Sequence, residues 1–471
     1  MKNINAIITN VFKTVLRSNY YLFFALVLSL MMACEDFLEI DPPTTQVISE
    51  SVFANEASAT SAVNGIYSLM LSSSYGSGGL RSIGFLGGLS ADELLYTSAS
   101  SGNPEFTRFN ANSLLSINNF IWNSFWLDAY NIIYNANSVI DGVNNSSDIT
   151  QSVADLLIGE SKFVRAYHHF YMTNVFGDVP LAISTDVDAN SNRTRDAVAL
   201  VYEEIVQDLL DAYELLEEEY VTTERVRPNK STAAALLARV YLYLGNWDDA
   251  ETWATRVIDN PNYTLVSDLN GVFLTNNNEA IWQLKSNNPT GEVNEADLYV
   301  LINGLSIAVL SENLLDTFEA GDLRKDNWVS SITVEGIDYF FPFKYKNLDA
   351  PGEYSTVFRL AEQYLIRAEA RAQLNDFSGA QEDLNQIRNR AGLGNTTATT
   401  QSSLLLAIEQ ERFVELFTEF GHRWLDLKRT NRADAVLSGI STKDWQPTDV
   451  LYPIPELERE INPNLTQNPG Y

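Results

Sequence analysis

Residues 238–258, ARVYLYLGNWDDAETWATRVI, align without gaps with residues 368–387, AEARAQLNDFSGAQEDLNQI. Ala238 falls on Ala368, Leu244 on Leu374, Trp247 on Phe377 and Ala250 on Ala380. Each copy reads as two helices joined by a short turn. Alanine at a helix crossing lets two backbones approach closely, and an aromatic residue in the turn fills the space beside it, which is what a tetratricopeptide-type hairpin requires. The fold class that follows is mainly α, built from tetratricopeptide-like helix hairpins. A third copy is expected within 154–216, where Arg165-Ala166-Tyr167 sits inside a helix, interrupted by Phe176-Gly177-Asp178-Val179-Pro180 and a long insertion. The alanines and aromatics of the copies are read as packing residues.

Working outward, apolar periodicity predicts helices over 52–71, 121–143, 153–175, 197–219 and 232–244. Between the two clear copies, EAIWQLK from Glu279 and the stretch Tyr339 to Tyr345 are strand-like, with SNNPTGEVNEAD looping after the first. Such inserts break the tetratricopeptide rhythm, so short sheets set on a helical frame are expected rather than a regular solenoid. Prolines at 453, 455, 463 and 469 predict an extended C-terminal strap instead of a helix.

The 471 residues carry a formal charge of −30. Residues 1–33 contain Lys2, Lys13 and Arg17 and no acid, so without them 28 basic residues face 61 acidic ones, a charge of −33. Such a field repels nucleic acid and anionic lipid, and no basic block interrupts it. Tyr20 to Ala33, YYLFFALVLSLMMA, follows basic residues and is too short to span a bilayer comfortably; it has the size of a signal-peptide core. Next comes Cys34, the single cysteine, which has no intramolecular partner for a disulfide. Met31-Met32-Ala33-Cys34 resembles a bacterial lipobox, in which the cysteine is lipidated and becomes residue one. Glu35 and Asp36 resemble the acidic tag that sends some lipoproteins to the cell surface, and Asp41-Pro42-Pro43 reads as an extended tether.

Three further segments, taken together, resemble the SusD/RagB family of surface nutrient-binding lipoproteins. These are Phe358 to Leu393, FRLAEQYLIRAEARAQLNDFSGAQEDLNQIRNRAGL, then Glu409 to Arg429, EQERFVELFTEFGHRWLDLKR, and the tail YPIPELEREINPNLTQNPGY from Tyr452. With CEDFLEIDPP at the start, the resemblance covers the mature chain. In the N-terminal half it rests on Ala91-Asp92-Glu93, Trp126, Tyr130 and Asn137. The domain plan it implies is a lipoprotein signal peptide over 1–33, a lipidated tether over 34–50 and one SusD-like domain over 51–471, with halves 51–270 and 271–471. It also implies a protein held at the outer-membrane surface by lipid on Cys34, partnered with a SusC-like TonB-dependent transporter and binding an oligosaccharide or another nutrient. The implied ligand site lies on the early Ser/Gly loops, with Tyr75, Arg81, Tyr96 and Phe106, and on the segment holding Asn287, Asn288, Tyr299 and Trp328. Aromatic faces with amide and guanidinium partners suit a neutral, hydroxyl-rich ligand.

Arg367, Glu369, Arg371, Glu411 and Arg412 alternate in charge on helical faces and are expected to pair as surface contacts or hairpin clasps. His168 and His169 point about 100° apart on a helix and cannot chelate one metal ion as an i, i+4 pair could. No GxSxG, HExxH or phosphate loop is present, so neither a cofactor nor a catalytic metal is expected. The function expected is capture without catalysis. Two alternatives stay open: a peptide- or protein-binding helical-repeat surface protein, and a surface glycosidase, which needs only a pair of carboxylates among the 61 acids.

Overall fold

The structure is a computed structural model and describes residues 49–72, 75–97, 102–286, 288, 290–302, 304–305, 307–348 and 351–471. The signal segment, Cys34, the tether as far as residue 48 and Asn287 lie outside the described residues. The short helix Ser49–Val52 belongs to one unit of the chain, and the body, the other unit, runs from Phe53 to Tyr471.

Both copies of the internal repeat are helix hairpins. Helix Lys230–Leu244 turns into Trp247–Ile258, and Leu360–Gln373 turns into Phe377–Arg390. The two turns reverse the chain at aligned positions with the same backbone conformation, Gly245 at φ 70° and Asn375 at φ 65°. Glycine and asparagine tolerate this left-handed conformation, which ends a helix by satisfying its last carbonyls. Ala238, Ala250, Ala368 and Ala380 are fully buried at the crossings. Helix Trp247–Ile258 packs on Leu360–Gln373, so one hairpin stacks on the next. The third pair is also present: Gln151–Phe176 packs along Val198–Leu215, and the insertion between them carries the five-residue helix Val187–Ser191.

The remaining predicted helices form with shifted ends. The first spans Glu56–Ser72, burying Ala59, Val63, Ile66, Tyr67 and Met70 on one face. It starts later than predicted because the Asn55 side chain accepts a hydrogen bond from the Ser58 N–H at 3.0 Å, and Phe53 folds down onto Gly142 instead of continuing the helix. The predicted helix over 121–143 divides into a π-helical stretch, Ile121–Leu127, and an α-helix, Asp128–Asn144.

Three two-stranded antiparallel sheets are set on this frame. Ala280–Leu284, within the predicted strand, pairs with Ser355–Arg359; Val329–Val334 pairs with Ile337–Pro342; Leu94–Tyr96 pairs with Ala308–Leu310. Arg359 is thus the last residue of a strand, and its helix begins only at Leu360. The C-terminal strap lies over the body as expected, with Tyr452 fully buried and Asn468 donating to the carbonyls of Phe176 and Tyr452 at 2.9 and 2.7 Å. It nevertheless contains the helix Glu456–Ile461, a correction to the all-extended prediction. The six residues fit between Pro455 and Pro463, where neither proline interrupts a helical hydrogen bond.

The charged residues of the C-terminal motifs pair mainly across elements, with Arg429 and Asp426 also paired along helix His422–Arg429 at 2.7 Å. Arg367 meets Asp383 at 2.7 Å, Arg429 meets Glu369 at 2.6 Å, Arg412 meets Asp426 at 2.7 Å and Arg324 meets Glu411 at 2.6 Å. All of these are buried except the half-buried Arg429, so they are clasps of the interior, while Arg371 pairs with Glu251 at 2.8 Å nearer the surface. At their centre Glu415 is held by Arg324, Arg359 and Arg390.

Candidate functional site

The C-terminal end of helix Glu56–Ser72, the residues following strand Ala280–Leu284 and the short helix Asn294–Tyr299 enclose a cavity of about 250 Å³. Its polar lining is Ser72, Ser286, Asn288, Asn294, Glu295 and Ser355. Asn294 donates from Nδ2 to the Ser77 carbonyl at 2.6 Å and to the Leu71 carbonyl at 3.3 Å, which ties the short helix to the Ser/Gly loop. That loop comes so close that a Cβ on Gly78 would stand 2.2 Å from the Glu295 Cδ, and Gly78 sits at φ +74°. Glycine is needed there on both counts.

Glu295 Oε1 accepts the Ser355 hydroxyl, while its buried Oε2 has no partner among the described residues. Burial pushes this carboxyl up to about 7 against the lowering by Ser355. Because the folded value lies above the unfolded one, Glu295 favours the folded state at low pH, and that contribution is lost as pH rises from about 4.5 to about 7. Glu295→Gln should remove this dependence. The variant's melting temperature relative to the native chain is expected to gain a few °C between pH 4.5 and pH 8; parallel pH profiles would contradict the assignment.

Of the sequence-predicted residues, Asn288 lines this cavity. Arg81 is exposed and Tyr96 half-buried, its hydroxyl donating to the Asn103 carbonyl at 3.4 Å. The other rings require correction. Tyr75 is buried, 2.6 Å from Nδ1 of the buried His168 and stacked on Phe125. Phe106 is buried between Phe120 and Phe85, and Tyr299 is buried against Phe85. Trp328 is 0 % exposed, donates to the Leu269 carbonyl at 2.9 Å, and has Lys344 4.8 Å from its ring centre. These four rings are core packing: Phe106, Tyr299 and Trp328 sit on the buried faces of short helices and Tyr75 on a loop that turns inward. The structure does join Tyr96, Phe106 and Tyr299 in one aromatic cluster through Phe85.

Sequence reasoning missed Asn294, Glu295 and Ser355. The first two sit in the polar loop SNNPTGEVNEAD, whose composition was the available signal. It also missed Tyr354, next to the lining residue Ser355. Tyr354 is half-buried, donates to Glu224 at 2.6 Å and has Lys285 5.5 Å from its ring centre. Its ring is not part of the cavity lining.

Glu295 is the single carboxylate lining the 250 Å³ cavity. A larger groove of about 570 Å³, between the hairpins and helix His422–Arg429, contains Glu369, Glu409 and Asp426. Each of those is clamped, by Arg429 at 2.6 Å, Arg432 at 3.2 Å and Arg412 at 2.7 Å respectively. Among the described residues no group of three or more His, Cys, Asp or Glu is arranged to hold a metal ion. His168 and His169 are buried, and burial pushes both down to about 3. His422 is likewise buried and lowered.

Two family models match the chain: residues 333–471 match one described as the SusD family, and residues 92–242 match one described as starch-binding associating with outer membrane. The chain belongs to the SusD family. The matched regions include the Arg359–Glu415 network and the helix pair Gln151–Phe176 and Val198–Leu215, so the family pattern lies in the frame. Among its SusD-family relatives, the SusD-like protein P25 of Formosa agariphila is 25% identical, the alignment covering 93% of this chain and 97% of the relative. A SusD superfamily protein from Bacteroides vulgatus has the same fold, with a TM-score of 0.78 at 23% identity, over 89% of this chain and 100% of that one. A laminarin binding SusD-like protein matches with a TM-score of 0.75 at 24% identity, over 88% of this chain and 100% of that one. Among the described residues no helix is long and apolar enough to cross a membrane.

Proposed function

We propose that this chain is a cell-surface lipoprotein that captures an oligosaccharide and delivers it, without transforming it, to a SusC-like TonB-dependent transporter in the outer membrane. The observation that carries the reading is the match of residues 92–242 to a family model described as starch-binding associating with outer membrane. The laminarin binding structural neighbour and the hydroxyl and amide groups that line most of the 250 Å³ cavity support the same ligand class. Serine hydroxyls and the Asn288 amide offer directed hydrogen bonds to hydroxyl groups. Such contacts are individually weak, which suits handover.

Absence of turnover is supported by the state of the acids. A glycosidase needs an acid and a second carboxylate flanking the bond; the cavity has Glu295 alone, and the acids of the larger groove are neutralised by arginine. The test is incubation of the purified chain with laminarin, maltoheptaose, xylan, galactomannan and pectin fragments. At least one is expected to bind and to be recovered unshortened. Shortened product, or binding of peptides with none of the glycans, would overturn the proposal.

A further inference from the structure

A second groove, of about 300 Å³, lies away from the cavity assigned to capture. Its floor is a ladder of rings at four-residue spacing, Trp126, Tyr130 and Tyr134. Four residues advance a helix by about 6 Å, so the rings succeed one another along one face of Asp128–Asn144. Trp126 is the penultimate residue of the π-helical stretch Ile121–Leu127, and its ring centre is 5.2 Å from that of Tyr130. π-Helical turns are rare and recur at functional sites. Burial deepens along the ladder, from Tyr134 at 45% exposure through the half-buried Tyr130 to the buried Trp126.

The opposite wall is pinned rigidly. Tyr130 donates to the Pro180 carbonyl at 2.8 Å, and Asn137 donates to the carbonyls of Ala182 and Ser184 at 3.1 and 3.2 Å. Arg165 fixes Asn137 in turn by donating to its Oδ1 at 2.7 Å. Around this preformed trough stand polar groups with capacity to spare. Arg193 uses Nε on Asp196 and leaves its two terminal nitrogens without an acceptor among the described residues. Glu458 uses Oε1 on the Trp122 indole and leaves Oε2 without a donor there. The Tyr134 hydroxyl has no partner among the described residues, and Val187 and Ile461 form apolar lips at 66% and 73% exposure.

We infer that this groove is a second carbohydrate-binding site, separate from the Asn288 cavity. The accessible rings of Tyr134 and Tyr130, supported from below by the buried Trp126, take the C–H faces of neighbouring sugar residues, and free guanidinium, carboxylate and phenol groups take their hydroxyls. A rigid groove loses little ordering entropy on binding. Two sites on one body would hold a long glycan at two points, so the polymer binds more tightly than either site alone.

The inference rests on the capture reading, and the experiment separates the two. The purified full chain, Tyr134→Ala and Asn288→Ala are titrated calorimetrically with the same five glycans, as polymers and as short oligosaccharides. The native chain should take two short oligosaccharides and each variant one. For the polymer, Tyr134→Ala should lower affinity by about tenfold or more. A native chain that binds a glycan at one site, or a Tyr134→Ala variant indistinguishable from it, overturns the second site and leaves the capture reading standing. A native chain that binds none of the five overturns both.

Discussion

Glu415→Ala is expected to destabilise the fold by about 3–5 kcal/mol, the range seen when one partner is removed from a buried ion pair. Glu415 is fully buried, with Arg359 at 2.5 Å from Oε1, Arg324 at 2.9 Å from Oε2 and Arg390 also on Oε1. Truncation leaves three guanidiniums short of charge in a site that water does not reach. The loss stays within this range because each arginine keeps another acid: Glu279 and Glu419 for Arg359, Glu279 for Arg390, Asp322 and Glu411 for Arg324. Urea unfolding at pH 7 measures the change, and Glu415→Gln, which keeps shape and an acceptor, should fall between the two. A loss under about 1 kcal/mol for the alanine variant would mean that the network is not cooperative.

The same residue sets an acid limit. Burial would raise the Glu415 carboxyl, but Arg390, Arg359 and Arg324 override it and hold it well below the usual carboxylate range. With the folded value depressed, its stabilisation is complete above about pH 4.5 and disappears as pH falls through the folded value. Glu411, raised by burial, opposes this slope in part. Glu415→Ala should therefore lose least, relative to the native chain, at the lowest pH at which both still fold.

This network also marks where the sequence ceases to be legible. The hairpins could be read because their determinants are local: a small residue at each crossing, an aromatic after the turn, and Gly245 or Asn375 where the backbone turns left-handed. The charges of Arg367, Glu369 and Arg412 could be seen, but their partners could not. Arg324 and Glu279 lie far from Glu415 in the chain, and only the folded frame brings them together. The ligand residues failed for a related reason. Tyr75 and Phe106 adjoin Ser/Gly-rich loops, and adjacency in sequence gives no depth; the packing of Tyr75 on His168, 93 residues away, is a tertiary fact. Asn288 lies on a cavity wall and is exposed, as a polar residue in a polar loop stays at the surface whichever way the loop folds. The π-helical turn before Tyr130 has no signature in IWNSFWL that separates it from an ordinary helix.

Cys34→Ala should have the largest effect on function: it is expected to abolish membrane retention while leaving the body folded. Attachment has few other sources. The chain is strongly acidic, its charge being −33 over residues 34–471, so anionic headgroups repel it. No described helix can span a bilayer. Acyl chains on Cys34 would supply about 0.8 kcal/mol per buried methylene, and one chain alone gives only marginal binding, so stable retention implies more than one. Cell fractionation should find the variant in the soluble fraction, with the same melting temperature and glycan affinity as the native chain. Glu35→Ala with Asp36→Ala should separate address from anchor: this variant stays lipidated and membrane-bound but loses accessibility to protease added outside intact cells. Undiminished retention of Cys34→Ala would move the anchor elsewhere in the chain. Retained protease access in the double variant would deny the acids a sorting role. On the proposed reading, a body that carries −28 over residues 53–471 is repelled by anionic lipid, so loss of the Cys34 anchor should release it.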